Sequence, residues 1–403
     1  MRYTIVGGGI AAVSAIKAIR NLDPDAHITV VSAEQHCFYY RPMTPLMVNG
    51  DRARDEILHD HSQLPEISLI HDRAVALRSE TREVELASGD TVPYDRLLIA
   101  TGSSPVVPKI PGIEAPNIYY LRTLEDAQRL NQAAQDATQA VVLGGGLVGI
   151  KKACALRSLG LEVTVVEQRE NILHPRLDQE AAAMVAEKLT ARGMKLITGD
   201  SVAEIHPGGK GVRLASGWAM NVDLLCMAVG VRPNIDWLAG NGLATNRALI
   251  VDKRLRTNID NIFAAGDVAE TRDLITHAPL VGGLWTNAVE MGRAAGVNMA
   301  GGKSRYEGGL EVLNATEIEG IPIIAVGDVL ARGKESDTIS RRWGDTYRKL
   351  VFQGDRLTGA LFVGEVKNAG VYTALIRSRT RLGRLKETAR QRTLSYADFC
   401  ASH

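Results

Sequence analysis

Two glycine-rich segments have the residue types and spacing of a turn that binds the pyrophosphate of a dinucleotide. The first runs from Gly7 to Ala12 and the second from Gly144 to Gly149, and each fits the pattern G-x-G-x-x-G/A between a β-like run and a helix-like run. The first glycine permits a sharp bend, the second lets the backbone approach the phosphates, and the small last residue lets the helix pack on the strand. The start of the helix adds unsatisfied N–H groups and a positive dipole end.

Two such turns predict two bound dinucleotides, and hence a protein that carries electrons between them. Nucleotide contacts are expected at Gly7, Gly9 and Ala12 in the first turn and at Gly144, Gly146, Val148 and Gly149 in the second.

An acidic residue follows each turn where a ribose ligand is expected. Glu34 follows the strand after the first turn, and Glu167 ends the strand after the second. A carboxylate at this place accepts hydrogen bonds from ribose hydroxyls. Beside the second turn it would also repel a 2′-phosphate, which predicts a preference for NADH over NADPH, although Arg169 lies two residues away. For Glu34 the alternative is an acid in a solvated turn.

Length and composition are those of an ordinary globular protein with two or three domains. The 403 residues are 45% hydrophobic and 23% charged, and the formal net charge of +1 gives no reason to expect nucleic acid or an anionic membrane as a partner. No apolar stretch approaches the roughly 18 residues of a membrane span, and the N-terminus runs directly into a strand rather than a signal peptide. We therefore expect a cytoplasmic protein.

The 4 cysteines, Cys37, Cys154, Cys226 and Cys400, are scattered along the chain without a C-x-x-C pair. Their spacing argues against a structural disulfide framework, a zinc site, an iron–sulphur cluster of this chain and a redox-active dithiol. We expect them to be small core or surface residues, and we expect no metal site.

The order of apolar runs and linkers predicts an α/β fold. It has two Rossmann-like dinucleotide-binding domains, one inserted in the other, and a small α+β domain at the C-terminus. The first dinucleotide-binding domain is expected at 1–109 and 238–305, the second at 110–237 and the C-terminal domain at 306–403. Residues 66–100 resemble a β-meander. Short β-like runs of the third domain are expected at 310–313, 321–326, 347–352 and 357–363, with a helix near 368–379.

The ordered set of motifs resembles the FAD/NAD(P)-dependent pyridine nucleotide–disulfide oxidoreductases, whose fold is glutathione-reductase-like. The nearer branch is that of ferredoxin and rubredoxin reductases and of the flavin part of nitrite reductase. The match is collinear over nearly the whole chain and includes, besides the two turns, Glu34 with Tyr40-Arg41-Pro42, Tyr94-Asp95 with Ala100-Thr101-Gly102, Gly230-Val231-Arg232-Pro233 and Ala265-Gly266-Asp267. Leu310-Glu311-Val312 and the segment from Tyr347 to Phe352 resemble the C-terminal domain of that branch.

The resemblance implies FAD at the first turn and NAD(H) at the second. Asp267 would bind a ribityl hydroxyl, although an aspartate there is also compatible with an N-cap. The helix that opens at Trp285 would point its N-terminus at the flavin, unless Trp285 is only a core aromatic. The further FAD contacts that the resemblance implies are Arg41, Pro42, Val75, Ala100, Thr101, Gly102, Gly266 and Asn287, and Gly230 is implied at the NAD site.

Two positions depart from the thiol-using members of this family. At the position where those relatives carry a cysteine over the flavin, this chain has Met43, so dithiol and persulfide chemistry are not expected. Relatives also pair a lysine near that slot with a glutamate after the second turn, where this chain has Leu46 and Lys151. We interpret the exchange as a relocated cation, because an ammonium near the flavin would favour its reduced form and raise its potential. The alternative is that Lys151 points into solvent beside Lys152.

The C-terminal tail is basic. Its cations could steer an acidic iron–sulphur protein by long-range attraction, or they could form a solvated helix face or a surface buried in an oligomer. They are Arg377, Arg379, Arg381, Arg384, Lys386, Arg390 and Arg392, with Glu387 as the single acid among them.

We therefore expect an FAD-containing, NADH-linked oxidoreductase, an electron-transfer flavoprotein of the ferredoxin reductase type. Hydride would be exchanged between nicotinamide and flavin, and single electrons between the flavin and a ferredoxin, a rubredoxin or the iron–sulphur subunit of a larger complex such as an aldehyde oxidoreductase. One alternative is an NADH oxidase or a quinone or dye reductase. Another is a flavin- and nucleotide-binding module with a sensing or assembly role. Whether the chain forms a homodimer or a hetero-oligomer stays open.

Overall fold

The chain forms two compact units, each built from segments that are separate in sequence. The structure is a computed structural model that describes residues 1–59, 64, 66–333 and 335–400, without the side chains of residues 399 and 400. The first unit comprises Met1–Val106, Arg122–Gln128 and Gly230–Gly309, and the second comprises Val107–Leu121, Arg129–Val229 and Leu310–His403. No helix among the described residues is long and apolar enough to cross a lipid bilayer.

A parallel sheet of five strands forms the centre of the first unit. Its strands, in spatial order, are β19 (Ile262–Ala264), β7 (Arg96–Ile99), β1 (Arg2–Val6), β2 (His27–Ser32) and β3 (Ser68–His71). A parallel sheet is covered on both faces, which is why its strands read as continuous apolar runs rather than as alternating patterns. Leu97, Leu98 and Ile99 are accordingly fully buried.

Two helices of the first unit, α1 (Ile10–Leu22) and α7 (Trp285–Met299), pack directly against each other. The contact depends on glycine, because a Cβ built on Gly292 would lie 2.2 Å from the Ala11 carbonyl oxygen. Three further helices begin in this unit: α2 (Thr44–Val48), α3 (Arg54–Ile57) and α4 (Leu124–Ala134), and there are 3-10 turns at Arg41–Met43 and Asp236–Leu238. The strands β8 (Ser103–Pro105) and β17 (Val231–Pro233) form an antiparallel pair. A small sheet consists of β18 (Leu249–Ile250), β20 (Ala269–Arg272) and β21 (Pro279–Val281).

Residues 66–100 do not form the meander that the sequence predicted. The first and last runs of this segment, β3 and β7, are parallel strands of the large sheet. Only the strands between them pair antiparallel with one another: β4 (Ala74–Arg78), β5 (Glu83–Leu86) and β6 (Thr91–Pro93). Short apolar runs look the same in sequence whether they pair with a neighbour or with a distant strand, so the pattern located the strands but not their partners.

The second unit contains another parallel sheet of five strands. Their spatial order is β12 (Lys195–Thr198), β11 (Glu162–Glu167), β10 (Gln139–Leu143), β16 (Leu224–Met227) and β9 (Ile118–Tyr119). From β10 the chain continues to β11 and β12 on one side, whereas β16 lies on the other side. The strand order therefore reverses between β10 and β16, and in open α/β sheets a ligand binds at the carboxyl ends of the strands at such a point. The helices α5 (Leu147–Ser158) and α6 (Gln179–Ala191) follow β10 and β11, and β13 (Val202–Ile205), β14 (Gly211–Leu214) and β15 (Ala219–Asn221) form a side sheet, with a 3-10 turn at Pro207–Gly209.

The C-terminal part of the second unit is a five-stranded antiparallel sheet with short helices. In spatial order its strands are β22 (Leu313–Ile318), β23 (Ile321–Gly327), β26 (Arg356–Val363), β25 (Thr346–Gln353) and β24 (Ser336–Trp343), and the helices are α8 (Ala369–Ser378), α9 (Leu385–Gln391) and α10 (Ala397–Cys400). Sequence analysis missed β24 and placed β22 too early. An edge strand such as β24 pairs on one side only and carries polar, largely exposed residues, so it lacks the apolar run that marks a strand.

Charged contacts fasten this antiparallel sheet to the parallel sheet of the same unit. Glu319, which follows β22, accepts hydrogen bonds from Arg157 at 2.9 Å and from Arg192 at 2.6 Å. Asp178 caps the N-terminus of α6 and accepts a hydrogen bond from the Tyr347 hydroxyl at 2.7 Å. The C-terminal ends of α5 and α6 and the N-terminus of α6 are thereby tied to the C-terminal domain.

Candidate dinucleotide-binding sites

The first glycine turn joins β1 to α1 and leaves room for a phosphate. Gly7 has a φ of 119°, and a Cβ built on it would lie 2.2 Å from the Ala100 carbonyl oxygen, so only glycine fits. A Cβ on Gly9 would meet nothing within 4 Å. No side chain caps the N-terminus of α1, so its first N–H groups remain available to an anion.

The carboxylate of Glu34 is held by two side chains of the first unit. One oxygen accepts a hydrogen bond from Arg41 Nη2 at 2.7 Å, and the other accepts one from the Tyr39 hydroxyl at 2.7 Å. Burial raises the pKa of Tyr39, so its hydroxyl stays a donor. A carboxylate oxygen keeps a further lone pair after one bond, and Glu34 can therefore still accept a ribose hydroxyl. Arg41 is thus an ion-pair partner rather than a plain surface charge.

Asp267 follows β19 and is bound by a side chain that sequence analysis missed. Its carboxylate accepts hydrogen bonds from Ser103 Oγ at 2.7 Å and from Arg122 Nη2 at 3.0 Å. Arg122 also donates from Nε to the Ser103 carbonyl oxygen at 3.0 Å. Nothing local in the sequence distinguishes Arg122, because the two partners lie far apart in the chain and meet only in the folded unit.

Two buried polar atoms at the N-terminus of α7 find no hydrogen-bond partner among the described residues. Trp285 Nε1 and Thr286 Oγ1 are buried and make no hydrogen bond within the described part of the chain. No side chain caps this helix, and the Tyr40 ring stacks on Trp285 with centroids 6.0 Å apart. Buried polar groups normally find partners, so these atoms fit a site that a polar ring system completes.

The other residues predicted to contact FAD differ in exposure and backbone conformation. Gly102 and Gly266 have φ values of 65° and 82°, which favour glycine, and Thr101 Oγ1 donates to the Asn234 carbonyl oxygen. Val75 is 40% exposed on β4. The remaining positions are the buried Ala12, Ala100 and Asn287 and the exposed Pro42. The open glycine turn, the helix N-termini without a side-chain cap and the unpartnered polar atoms at the start of α7 are together compatible with bound FAD.

The second glycine turn repeats the geometry of the first. Gly144 has a φ of 107°, and its Cβ would lie 2.4 Å from the Ala228 carbonyl oxygen; a Cβ on Gly149 would lie 1.9 Å from the Gly144 carbonyl oxygen. A Cβ on Gly146 would meet nothing within 4 Å, and the N-terminus of α5 has no side-chain cap. Val148 is 53% exposed on the first turn of α5, and Gly230, in the first unit, has a φ of 116°.

Glu167 is anchored to the backbone of the second turn. One carboxylate oxygen accepts the Gly145 N–H at 2.6 Å and the other accepts the Arg169 N–H at 2.8 Å. The carboxylate therefore lies directly beside the bend that would carry the pyrophosphate, as a ribose ligand must. The second site fits a nicotinamide dinucleotide.

The two adjacent lysines of α5 have different environments. Lys151 is half-buried and donates from Nζ to the Glu317 carbonyl oxygen at 2.6 Å, and burial lowers its pKa. Lys152 is fully buried and donates from Nζ to the Met227 carbonyl oxygen at 2.9 Å. For Lys151, the predicted role at the flavin and the solvated alternative both stay predictions.

The described cysteines are buried or half-buried thiols that are poor nucleophiles. Burial raises the pKa of Cys37 and of Cys226 to about 11 and that of Cys154 to about 12. Met43, in the slot where thiol-using relatives carry cysteine, is 39% exposed. The side chain of Cys400 lies outside the described residues, and within those residues no group of three or more potential metal ligands comes together.

Comparison with known proteins assigns the family. The profile of pyridine nucleotide–disulphide oxidoreductases matches residues 1–292, and that of the rubredoxin NAD+ reductase C-terminal domain matches residues 312–380. The chain belongs to the pyridine nucleotide–disulphide oxidoreductase family. It is an oxidoreductase that binds FAD and NAD(H), and the predicted fold of two Rossmann-like domains with a small C-terminal domain is confirmed.

Several characterised proteins are similar over nearly the whole chain. The epsilon subunit of the NADH-dependent phenylglyoxylate dehydrogenase of Aromatoleum evansii is 36% identical, over 96% of this chain and 93% of its own length. The NADH-rubredoxin oxidoreductase of Clostridium acetobutylicum is 28% identical, over 91% of each chain. A ferredoxin reductase structure from Rhodopseudomonas palustris superposes with a TM-score of 0.83 at 25% identity, over 92% of each chain.

Proposed function

We propose that this protein transfers electrons between NAD(H) and an iron–sulphur protein or subunit, with FAD as the carrier between them. The observation that carries the proposal is the pair of open glycine turns, each with an anchored carboxylate, in a chain whose described thiols are buried and protonated. Bound FAD and NAD(H) supply hydride and single-electron chemistry, for which no side chain need act as acid or base. The chain's own residues bind and orient: Glu34 and Asp267 would hold the FAD, and Glu167 would hold the nicotinamide nucleotide.

The relatives support an iron–sulphur partner. One is named for rubredoxin, one is a ferredoxin reductase, and one is a subunit of an NADH-dependent dehydrogenase. Other relatives are named NADH oxidase, which keeps direct reduction of oxygen as a second candidate function.

Steady-state turnover separates these two functions. We expect slow NADH oxidation with oxygen alone, and at least about tenfold faster oxidation when an acidic ferredoxin or rubredoxin is added under argon. Fast turnover with oxygen and no stimulation by either iron–sulphur protein would replace the proposal by an NADH oxidase. Absence of any flavin reduction by NADH would refute both.

We further propose that three arginines of the C-terminal tail attract the partner. Six of the seven cations of the basic tail form two groups that differ in their contacts, and Arg377 belongs to neither. Lys386 and Arg390 both pair with Asp337, at 3.2 and 3.1 Å, and Arg392 pairs with Asp398. Arg379, Arg381 and Arg384 are exposed and form no ion pair within the described part of the chain. Of the two groups, the second offers the positive surface that an acidic partner would contact.

A role of Lys151 at the flavin is also proposed. It rests on the exchange of a lysine–glutamate pair for Leu46 and Lys151 relative to the family pattern. The partial burial of Lys151 supports the proposal, because an ammonium that is partly removed from water acts more strongly on a nearby charge.

A further inference from the structure

The two unpartnered polar atoms at the start of α7 differ in what they can bind. Trp285 Nε1 and Thr286 Oγ1 are both buried and make no hydrogen bond to any described residue. An indole N–H can only donate a hydrogen bond, whereas a hydroxyl can donate and accept. A buried donor without an acceptor is costly, so such atoms are usually completed by a ligand or by water. The indole therefore requires an acceptor on the group that binds here.

The backbone segments expected to hold FAD converge at the start of this helix. A Cβ built on Gly266 would lie 3.4 Å from Ala11 Cβ and 3.7 Å from Ala288 Cβ. Ala11 belongs to the first glycine turn, Gly266 directly precedes Asp267, and Ala288 lies in the first turn of α7. The places proposed for the pyrophosphate and for the ribityl chain therefore meet at the N-terminal end of α7.

The order of the parts of FAD then assigns the flavin ring to the neighbourhood of Trp285. Adenosine ribose, pyrophosphate and ribityl chain follow one another in the molecule, and their proposed ligands are Glu34, the glycine turn and Asp267. The ring comes after the ribityl chain, and the start of α7 is the place left for it. Trp285 also contacts the segment that holds Glu34, because its ring stacks on Tyr40 and the next residue, Arg41, donates to Glu34.

The pyrimidine part of a flavin ring offers the acceptors that the indole requires. Its carbonyl oxygens and two ring nitrogens accept hydrogen bonds, and its imide N–H donates one. The acceptors gain negative charge when the ring is reduced. A hydrogen bond to a more negative acceptor is stronger, so a fixed donor stabilises the reduced ring more than the oxidised one.

We propose that the Trp285 indole N–H and the Thr286 hydroxyl bind the pyrimidine edge of the flavin, and that the indole hydrogen bond raises the flavin reduction potential. Trp285 then has an electronic role besides its packing on Tyr40. Thr286 becomes a flavin ligand that sequence analysis did not identify. A higher potential favours reduction of the flavin by NADH and weakens the flavin as a donor to its partner. The inference rests on the proposed binding of FAD at the first glycine turn.

A redox titration of the holoenzyme with dithionite and reference dyes tests the role of the indole without NADH or an iron–sulphur partner. Trp285→Phe keeps an aromatic ring against Tyr40 but removes the N–H. We expect the equilibrium constant for two-electron reduction of its flavin to fall at least about tenfold, which corresponds to about 30 mV. Trp218→Phe, which removes an exposed indole of the second unit, should leave the potential unchanged.

The carbonyl stretching bands of the oxidised flavin report the hydrogen bond itself. In an infrared spectrum, loss of the donor should move one of these bands to higher wavenumber in Trp285→Phe but not in Trp218→Phe. The role of Thr286 is measured by the Kd for FAD, which we expect to rise at least about threefold in Thr286→Val and to stay near the wild-type value in Thr286→Ser.

Unchanged carbonyl bands in Trp285→Phe overturn the role of the indole, because a lower potential alone could come from altered packing. An unchanged potential overturns it as well, and an unchanged Kd in Thr286→Val removes Thr286 from the site. If Trp285→Phe does not retain FAD, benzothienylalanine at position 285 keeps the shape of the indole without the N–H, and the same two measurements decide. Failure of NADH to reduce the wild-type flavin would instead refute the proposed function and leave these results intact.

Discussion

Glu34 and Glu167 occupy equivalent places after the two turns, but different groups hold them. Glu34 is bound by the Arg41 and Tyr39 side chains, whereas Glu167 is bound by backbone N–H groups. Charge at the first site is therefore partly balanced before any ligand arrives. No cationic side chain of the described residues bonds to the carboxylate of Glu167, so at the proposed ribose site it would be the stronger barrier to a 2′-phosphate.

Substitution of Glu167 by arginine should change the choice of nucleotide. In Glu167→Arg we expect the ratio of kcat/KM for NADH to kcat/KM for NADPH to fall at least about tenfold, because one carboxylate at a ribose contributes about this much discrimination. Steady-state kinetics with a dye acceptor measure both values. Glu162→Arg, at the opposite end of the same strand, provides the control, and an equal ratio in both variants would contradict the assignment of Glu167.

Substitution of Lys151 tests its proposed role. A cation within ~5 Å of a negative charge, at an effective dielectric constant near ~20, stabilises that charge by about 3 kcal/mol. Lys151→Met should therefore lower the flavin reduction potential and slow flavin reduction by NADH, with FAD still bound. A redox titration beside that of Lys210→Met measures the effect. A flavin potential within a few millivolts of the wild-type value would contradict the proposed role and leave Lys151 with only its hydrogen bond to the Glu317 carbonyl oxygen.

At the scale of secondary structure, the packing of α1 on α7 fixes the first glycine turn relative to the start of α7, the two places where we propose that FAD binds. α1 begins at the first glycine turn, and α7 begins at Trp285. Gly292 and Gly296 bring the helices together, since a Cβ on either would lie within 2.5 Å of a carbonyl oxygen of α1. A change in this contact must therefore shift the turn, the start of α7 or both.

A single methyl group at this contact should weaken FAD binding. For Gly292→Ala we expect a loss of about 1–3 kcal/mol in the free energy of unfolding, as for other overpacked cores. FAD should be released at a lower temperature, followed by flavin fluorescence. Gly370→Ala is a matched helical control, because a Cβ on Gly370 meets nothing within 4 Å. It should be neutral or slightly stabilising, and an equal flavin-release temperature in both variants would show that the contact tolerates separation.

At the scale of the whole molecule, a net charge of +1 conceals a separation of charge. The tail is rich in arginine, but the structure uses part of that charge internally, in the contacts with Asp337 and Asp398. A substitution of the tail as a whole would therefore mix loss of stability with loss of a docking surface. Arg379, Arg381 and Arg384, which form no ion pair within the described residues, allow the two effects to be separated.

The triple variant Arg379→Ala/Arg381→Ala/Arg384→Ala should lower kcat/KM for an acidic ferredoxin at least about fivefold at low ionic strength. The salt dependence should also become shallower, because electrostatic attraction is screened by ions. Turnover with a neutral dye should not change. A triple variant of exposed cations elsewhere, Lys17→Ala/Arg129→Ala/Lys210→Ala, has the same net charge. If this control variant lowers kcat/KM for ferredoxin as much as the tail variant does, the net charge of the protein, and not the surface formed by the three tail arginines, attracts the partner.

The sequence alone determined the fold class, the two dinucleotides and the family, because these depend on short-range patterns. A glycine turn, the strand before it and the helix after it are contiguous, and each constrains its own backbone. The tertiary structure decided which strands pair, which arginines stay unpaired and which lysine is buried. Arg122 reaches Asp267 from 145 positions away, and Lys152 reaches Met227 from 75. Such contacts form only when distant segments pack together, so no local pattern of residues specifies them.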